Sequence, residues 1–295
     1  MSDLWRDRYA TLRSRWFEGR GLTSDTPLKR MLLIVLAVGV LILAVVAALG
    51  LDVQFDRSAI LPLTLAFLIS LTAPLLSAIE YKLSLRLTGA DSDSRSALQL
   101  SVFASIANVL PLPGGLAIKL KGMTEHGAQV RRAVGAALLT GLIWLSLSAA
   151  ALALALPSYR SEASIAAALL LAGSVTSLAM GRFRIVPAAQ LVIVESLFVV
   201  SAATRFYLVL DAIGVVLDPI DSMALAASGS LASTLGIVPG ALGVFEALSA
   251  GLALIIGLPA GAGLLGAVVL RVLLFGSLLL WSVVLGVRRP GARRR

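Results

Sequence analysis

Four ionisable side chains, Glu195, Arg205, Glu246 and Arg271, stand inside long apolar stretches of the chain. A charge at the bilayer centre costs about 3 kcal/mol or more, so such residues face a protein interior, find a partner, and mark substrate or ion paths. Glu246 follows Pro239 by seven residues and Arg271 sits near the middle of the last apolar stretch. They are expected to pair or to face one cavity, either as a bridge between helices or as charge complementarity for a substrate. Glu195 and Arg205 are ten residues apart, about 15 Å along a helix, and cannot bridge directly. The Arg205 side chain is long enough to snorkel toward headgroups. Lys119 and Lys121 are suited to meet an anionic headgroup near a cytoplasmic mouth, or to anchor the chain there.

Two runs of proline and glycine interrupt the apolar pattern. One reads Asn108-Val-Leu-Pro111-Leu-Pro113-Gly114-Gly115, the other Gly236-Ile-Val-Pro239-Gly240-Ala-Leu-Gly243. Proline removes an amide donor and glycine frees the backbone, so each run predicts a broken helix inside the apolar layer. Backbone without partners survives at that depth only where protein or a water-filled cavity surrounds it. A helix starting near Gly115 or Gly240 would aim amide donors and its positive dipole end at a phosphate or carboxylate, and a simple packing bend is the plainer alternative.

Other chemistries are excluded by what is missing. There is no cysteine and only His126 as histidine, so thiolate, zinc-ribbon and iron–sulfur sites have no ligands. The glycines precede no Gly-Lys-Ser/Thr ending, and no Ser/His/Asp set or paired-carboxylate site stands out. No catalytic residue, metal or cofactor is expected. The chain is 58% hydrophobic and 14% charged over 295 residues, with mean hydropathy +0.95. A globular domain carries roughly 45–50% apolar and about 25% charged residues, so this chain is solvated by lipid. Its net charge of +9 lies in short loops and tails, which argues against nucleic acid and for retention on one membrane side.

The elements follow from the apolar blocks. Residues 1–30 hold seven Lys/Arg, with Trp5, Tyr9, Leu12 and Trp16 at helical spacing, and predict an interfacial amphipathic segment, not a secretory signal. Residues 31–287 form one membrane domain, and 288–295 a basic cytoplasmic tail. Apolar segments at 31–51, 58–79, 132–156, 163–180, 187–210 and 262–287 are each expected to cross once, a helix needing roughly 20 residues to do so. The broken segment at about 96–122 is expected to be a re-entrant hairpin, and so is that at 222–257, where the charge count equally allows two full crossings. This topology puts twenty-one Lys/Arg on the cytoplasmic side, with both termini, against Arg57 and Arg160 outside. The first hairpin then opens from the cytoplasm and the second from outside. Pro113-Gly114-Gly115-Leu116-Ala117 aligns with Pro239-Gly240-Ala241-Leu242-Gly243, a short inverted repeat of the kind transporters use around a mid-membrane site. The predicted fold is therefore all-α and polytopic, with six full spans and two opposed broken hairpins.

The stretch Pro239-Gly240-Ala-Leu242-Gly243-Val244-Phe-Glu246-Ala, followed by Gly257-Leu-Pro259 and by Val268-Val-Leu-Arg271-Val-Leu, resembles the lysylphosphatidylglycerol synthase transmembrane region family, a flippase-type membrane domain. That family runs approximately Pro-Gly-Gly-Leu-Gly-Val-x-Glu, then a Gly-Leu-Pro turn and an Arg in the last helix. The likeness extends more weakly over about residues 30–287, through Asn108, Pro113 and Gly114. At the first break the family continues Pro-Gly-Arg-x-Gly-Glu-x-x-Arg, where this chain has Gly115, Ile118 and Lys121 for the charged positions. The family's Glu-Arg pair in the next helix falls near the neutral Thr140 and Gly141.

The resemblance implies a lipid translocase of a bacterial-type inner membrane, with membrane lipids as partners, and it does not imply lipid synthesis. Two other functions fit the same residues. One is a scaffold or accessory subunit of a lipid-modifying or glycosyltransferase system, with an enzyme partner. The other is transport of a small anion. Homo-oligomerisation is compatible with each.

Overall fold

A computed structural model of the chain describes residues 57–109, 115–181, 183–235, 241 and 243–285. All lie in the unit Val40–Arg295, and every regular element among them is helical. The predicted first span at 31–51, the segment 1–30, the tail 288–295, and Pro113, Gly114, Pro239 and Gly240 fall outside the described residues.

Helix α1 (Ile60–Ser70) and helix α2 (Ala73–Thr88) form one bent apolar span. The bend has a definite cause. Pro74 has no amide to donate to Ser70 four residues back, and the Ser277 hydroxyl donates to that carbonyl instead, at 2.9 Å. The indole of Trp281 donates to the neighbouring Leu71 carbonyl at 3.0 Å, so the break is sealed from a distant helix. The span runs on to Thr88, well past the expected end at 79, because Leu83, Leu85 and Leu87 are all buried against other helices. Glu80 therefore lies within the helix and not in a loop.

A tight polar turn leads into α3 (Ser94–Val109). Lys82 donates to Ser94 at 2.9 Å, and the Asp93 carboxylate caps the Ser96 amide at 2.9 Å. Hydrogen bonds from Arg86 hold the neighbouring Asp91 carboxyl below its ordinary range. Helix α4 (Gly115–Glu125) follows the first break. Its 11 residues reach only about 16 Å, half of the roughly 30 Å a crossing needs. Next come α5 (Val130–Ala155), α6 (Arg160–Gly181) and α7 (Ile185–Ala212), each long and apolar. Helix α8 (Asp221–Leu235) and helix α9 (Val244–Ile255) flank the second break, and α10 (Ala260–Val284) ends the described chain.

The packing has an exchanged pattern. Each broken pair is followed by a long helix, with lengths of 16, 11 and 26 residues for α3, α4 and α5 and of 15, 12 and 25 for α8, α9 and α10. Helix α5 lies against α8, and α10 lies against α3. Each long helix thus braces the outgoing arm of the other broken pair. Helix α7 fits between, touching α1, α2, α5, α8 and α10. Its Phe206, Val209 and Leu210 join Leu225, Leu252, Leu265 and Leu270 in the largest core, while Leu191 and Val194 join Leu83, Leu139 and Ile143 in another.

Small residues allow close approach where it is needed. A Cβ on Gly263 of α10 would collide with the Ser249 backbone of α9, and one on Gly122 would strike Leu100. Outward faces are apolar: Ile165, Leu169, Leu171 and Val175 of α6 are all exposed. Apolar area on this scale needs a hydrocarbon solvent. Five helices are long and apolar enough to cross a bilayer, Ile60–Thr88, Val130–Ala155, Pro157–Ala179, Ile185–Ala212 and Ala260–Val284. This is the architecture of a helical membrane protein.

Candidate functional site

The second break ends in a strained turn. Ala241 has φ +48°, the one positive φ of a non-glycine among the described residues, and Gly243 has φ +78°. An L-residue in that region costs about 1–2 kcal/mol, so something must hold the turn. Helix α9 supplies it from its third residue, Glu246. One carboxylate oxygen accepts the Gly243 amide at 2.8 Å, and the other accepts Nε of Arg271 at 2.8 Å. Arg271 also donates from Nη2 to the Ala241 carbonyl at 3.3 Å. Its guanidinium stands 5.6 Å from the Phe245 ring centre, a cation–π distance, and Phe245 leans on Phe206.

The Glu246 side chain is 3% exposed and that of Arg271 19%. Buried together with their hydrogen bonds made, they tie α10 to both strained residues of the turn. The start of α9 is accordingly occupied: the helix begins at Val244, beyond Gly240, and the anion at its N-terminus is the protein's own carboxylate. One turn further on, the Ser249 and Ser228 hydroxyls meet at 2.8 Å, closing α9 onto α8.

Beside the first break lies a different cluster. Gly115, the first residue of α4, sits under the Asn108 side chain, which would occupy the place of a Cβ there. Lys119 follows one turn later and donates to both carboxylate oxygens of Glu80 on α2, at 3.0 and 3.1 Å. The two side chains are 22% and 17% exposed. Gly122, pressed against Leu100 and near the Tyr81 hydroxyl, lets α4 come close enough for that contact. Glu195 of α7 is 3% exposed. No hydrogen bond reaches its carboxyl among the described residues. Helices α2 and α4 therefore place an acid and a base together beside the first break.

The remaining candidates separate from these two sites. Lys121, two residues beyond Lys119, points to the surface and makes only a 3.8 Å pair with Glu125, both 62% exposed. Arg205 is half-buried and donates from Nε to the Ser201 carbonyl of its own helix at 3.2 Å. Thr140 of α5 shares a hydrogen bond with Ser84 of α2 at 3.0 Å. Glu80 is the residue that sequence reasoning missed. The signal for it was Lys119 itself, a cation in an apolar helix that needed an acid. No group of metal ligands forms among the described residues. No protein-family model matches the chain, and no curated protein matches it.

Proposed function

We propose that the protein is a non-enzymatic lipid translocase of a bacterial-type inner membrane, moving a lipid with an anionic headgroup between leaflets. In this reading six helices cross, the sixth being 31–51, and both termini are cytoplasmic. The arms α3 and α4 enter and leave from the cytoplasmic side, and α8 and α9 from the outer side. The observation that carries it is the exchanged packing: two broken pairs of matching length, each braced by the long helix that follows the other. Many transporters build a site open to either side in turn from such opposed repeats. The Lys/Arg distribution favours the opposite orientation of the two pairs, and the resemblance around Pro239 to Glu246 and Arg271 agrees with a flippase-type domain.

The two charged clusters divide the work. Lys119 and the start of α4 receive the headgroup phosphate, since a helix N-terminus and a lysine both favour an anion. Glu246 and Arg271 hold the second turn in shape, and the acyl chains stay in the bilayer. In this reading Lys119 exchanges Glu80 for the phosphate, one anion for another.

The test is headgroup exchange in proteoliposomes carrying fluorescent phosphatidylglycerol, read by quenching the outer leaflet. Exchange faster than in protein-free vesicles is expected, slowed about tenfold or more by Lys119→Gln, as loss of about 1.4 kcal/mol of stabilisation would do. Exchange at the protein-free rate overturns the proposal, and a stably co-purifying enzyme would then favour the scaffold function.

A further inference from the structure

Helix α1 is held far more lightly than the helix it continues into. Its buried residues are Pro62, Ala66 and Ser70, one narrow stripe at every fourth position, whereas α2 buries Tyr81, Leu83, Leu85 and Leu87. Little apolar side-chain area anchors α1, so its packing resists displacement least. Nor does the backbone of the joint fix an angle. Leu71 and Thr72 both keep right-handed helical dihedrals, φ −66° with ψ −22° and φ −78° with ψ −22°. Ser70 and Thr72 turn their hydroxyls back onto the Ala66 and Ile69 carbonyls, at 2.8 and 2.7 Å, an arrangement that favours bending. With Pro74 unable to donate, the angle is set from outside, by Ser277 and Trp281 of α10.

We propose that α1 is a movable gate and that α10 latches it at the Pro74 joint. Ser277 and Trp281 stand one turn apart on α10 and reach consecutive carbonyls, those of Ser70 and Leu71. A hydrogen bond is lost within about an ångström of stretching, so a small rotation or slide of α10 frees both together. Gly276 beside them brings α10 close against the Phe67 ring of α1, where an added Cβ would stand 3.4 Å away. The closed latch seals the two carbonyls, and the open one bares them, which is tolerated at that depth only where water reaches the joint. The same helix holds the second break. Arg271, six residues before Ser277 and about 9 Å along α10, donates to the Ala241 carbonyl and pairs with Glu246. A shift of that turn is carried along α10 to the latch. In the translocation reading, on which this functional half rests, the open gate admits the headgroup from the side.

The gate itself is tested without any translocated substrate. The chain has no cysteine, so spin labels go only where they are placed. Leu61→Cys on α1 and Ile79→Cys on α2 are each paired with Leu138→Cys on α5, all three at exposed positions. In phosphatidylcholine vesicles, Ser277→Ala/Trp281→Phe removes both donors and is expected to add a second distance to the Leu61–Leu138 pair. A swing of about 20° carries the far end of an 11-residue helix by about 5 Å. The Ile79–Leu138 pair is expected to keep its wild-type distance. Pro74→Ala returns a backbone amide to Ser70 and is expected to suppress the second distance in the same background. A Leu61–Leu138 distance unchanged by loss of the latch, or equal changes in both pairs, overturns the proposal.

Should the double variant fail to fold, Ser277→Ala alone serves, since it removes one oxygen atom. The second distance is then expected in a smaller fraction of molecules, and its absence overturns the latch. Exchange of fluorescent phosphatidylglycerol reads the functional half. Loss of the latch is expected to raise the rate about threefold, and Pro74→Ala to lower it, by shifting molecules between closed and open states. Slower exchange after loss of the latch overturns the gating role and reduces the two hydrogen bonds to a brace. Exchange at the protein-free rate with the second distance present would remove the translocation reading and leave the gate standing. Fast exchange with a single distance throughout would do the reverse.

Discussion

The returning helices of the two broken pairs carry opposite charges at nearly matching places. Lys119 is the sixth residue past Pro113, and Glu246 the seventh past Pro239. Each is paired with a neighbouring span, yet the physics differs. Glu246 is an acid in the first turn of its helix, where the dipole favours it, and all that it faces is satisfied by Gly243 and Arg271. Lys119 is a base near a helix start, where the dipole opposes it, and it depends on Glu80. A closed, self-neutralised pair holds a shape. A pair set against its own dipole, with both side chains only partly covered, is one that can change partners.

Breaking the closed pair is expected to have the largest effect. Arg271→Ala leaves Glu246 buried with one oxygen bare and releases the Ala241 carbonyl, and removing one member of a buried ion pair costs about 3–5 kcal/mol. Thermal unfolding in detergent should fall by many degrees. Glu246→Gln combined with Arg271→Met, which removes both charges, should recover most of the loss, as apolar replacement of whole pairs does elsewhere. A loss as large in the double variant as in the single would mean that the pair is more than a brace. The corresponding loss for Lys119→Gln should be smaller, because the acid it strands, Glu80, is 17% exposed where Glu246 is 3%.

The closed site was more legible in the amino-acid pattern than the open one. Glu246 and Arg271 each stood alone in an apolar stretch, so each needed a partner, and few were on offer. The five long helices were visible for the same reason, as was the brevity of α4 and α9 beside their proline–glycine runs. Glu80 was hidden because Glu80-Tyr81-Lys82 looks like the polar edge of a span. Only tertiary burial of Leu83, Leu85 and Leu87 shows that the helix continues through it. The seal on the Pro74 bend by Ser277 and Trp281 spans some two hundred residues of sequence, beyond the reach of local pattern. The exchange of long helices between the broken pairs is likewise a tertiary fact.

The turn itself offers a smaller and signed test. Gly243 combines φ +78° with ψ −33°, a region that a Cβ makes costly, so Gly243→Ala should destabilise the protein by about 2 kcal/mol. Ala241→Gly relieves a left-handed alanine at φ +48° but loosens the unfolded chain, and the two terms leave a gain of about half a kcal/mol. Opposite signs two residues apart, measured by thermal unfolding, would locate the strain in the turn. Equal losses at both positions would show that the brace does not act on backbone conformation.

The smallest effect belongs to Lys121, and it sharpens the contrast most cheaply. Two residues of helix rotate a side chain by about 200°, so Lys119 and Lys121 leave α4 on opposite sides although the sequence presents them as one basic cluster. Lys121 meets only Glu125 at 3.8 Å, with both side chains largely in water, and exposed pairs of this kind contribute about 0.5 kcal/mol or less. Lys121→Gln should therefore leave unfolding almost unchanged and lipid exchange within about twofold of wild type, a barrier change of about 0.4 kcal/mol. If Lys121→Gln slowed exchange as much as Lys119→Gln, headgroup capture would depend on cationic charge at the mouth and not on the buried pair. The comparison between the two broken helices would then lose its functional half and keep only its structural one.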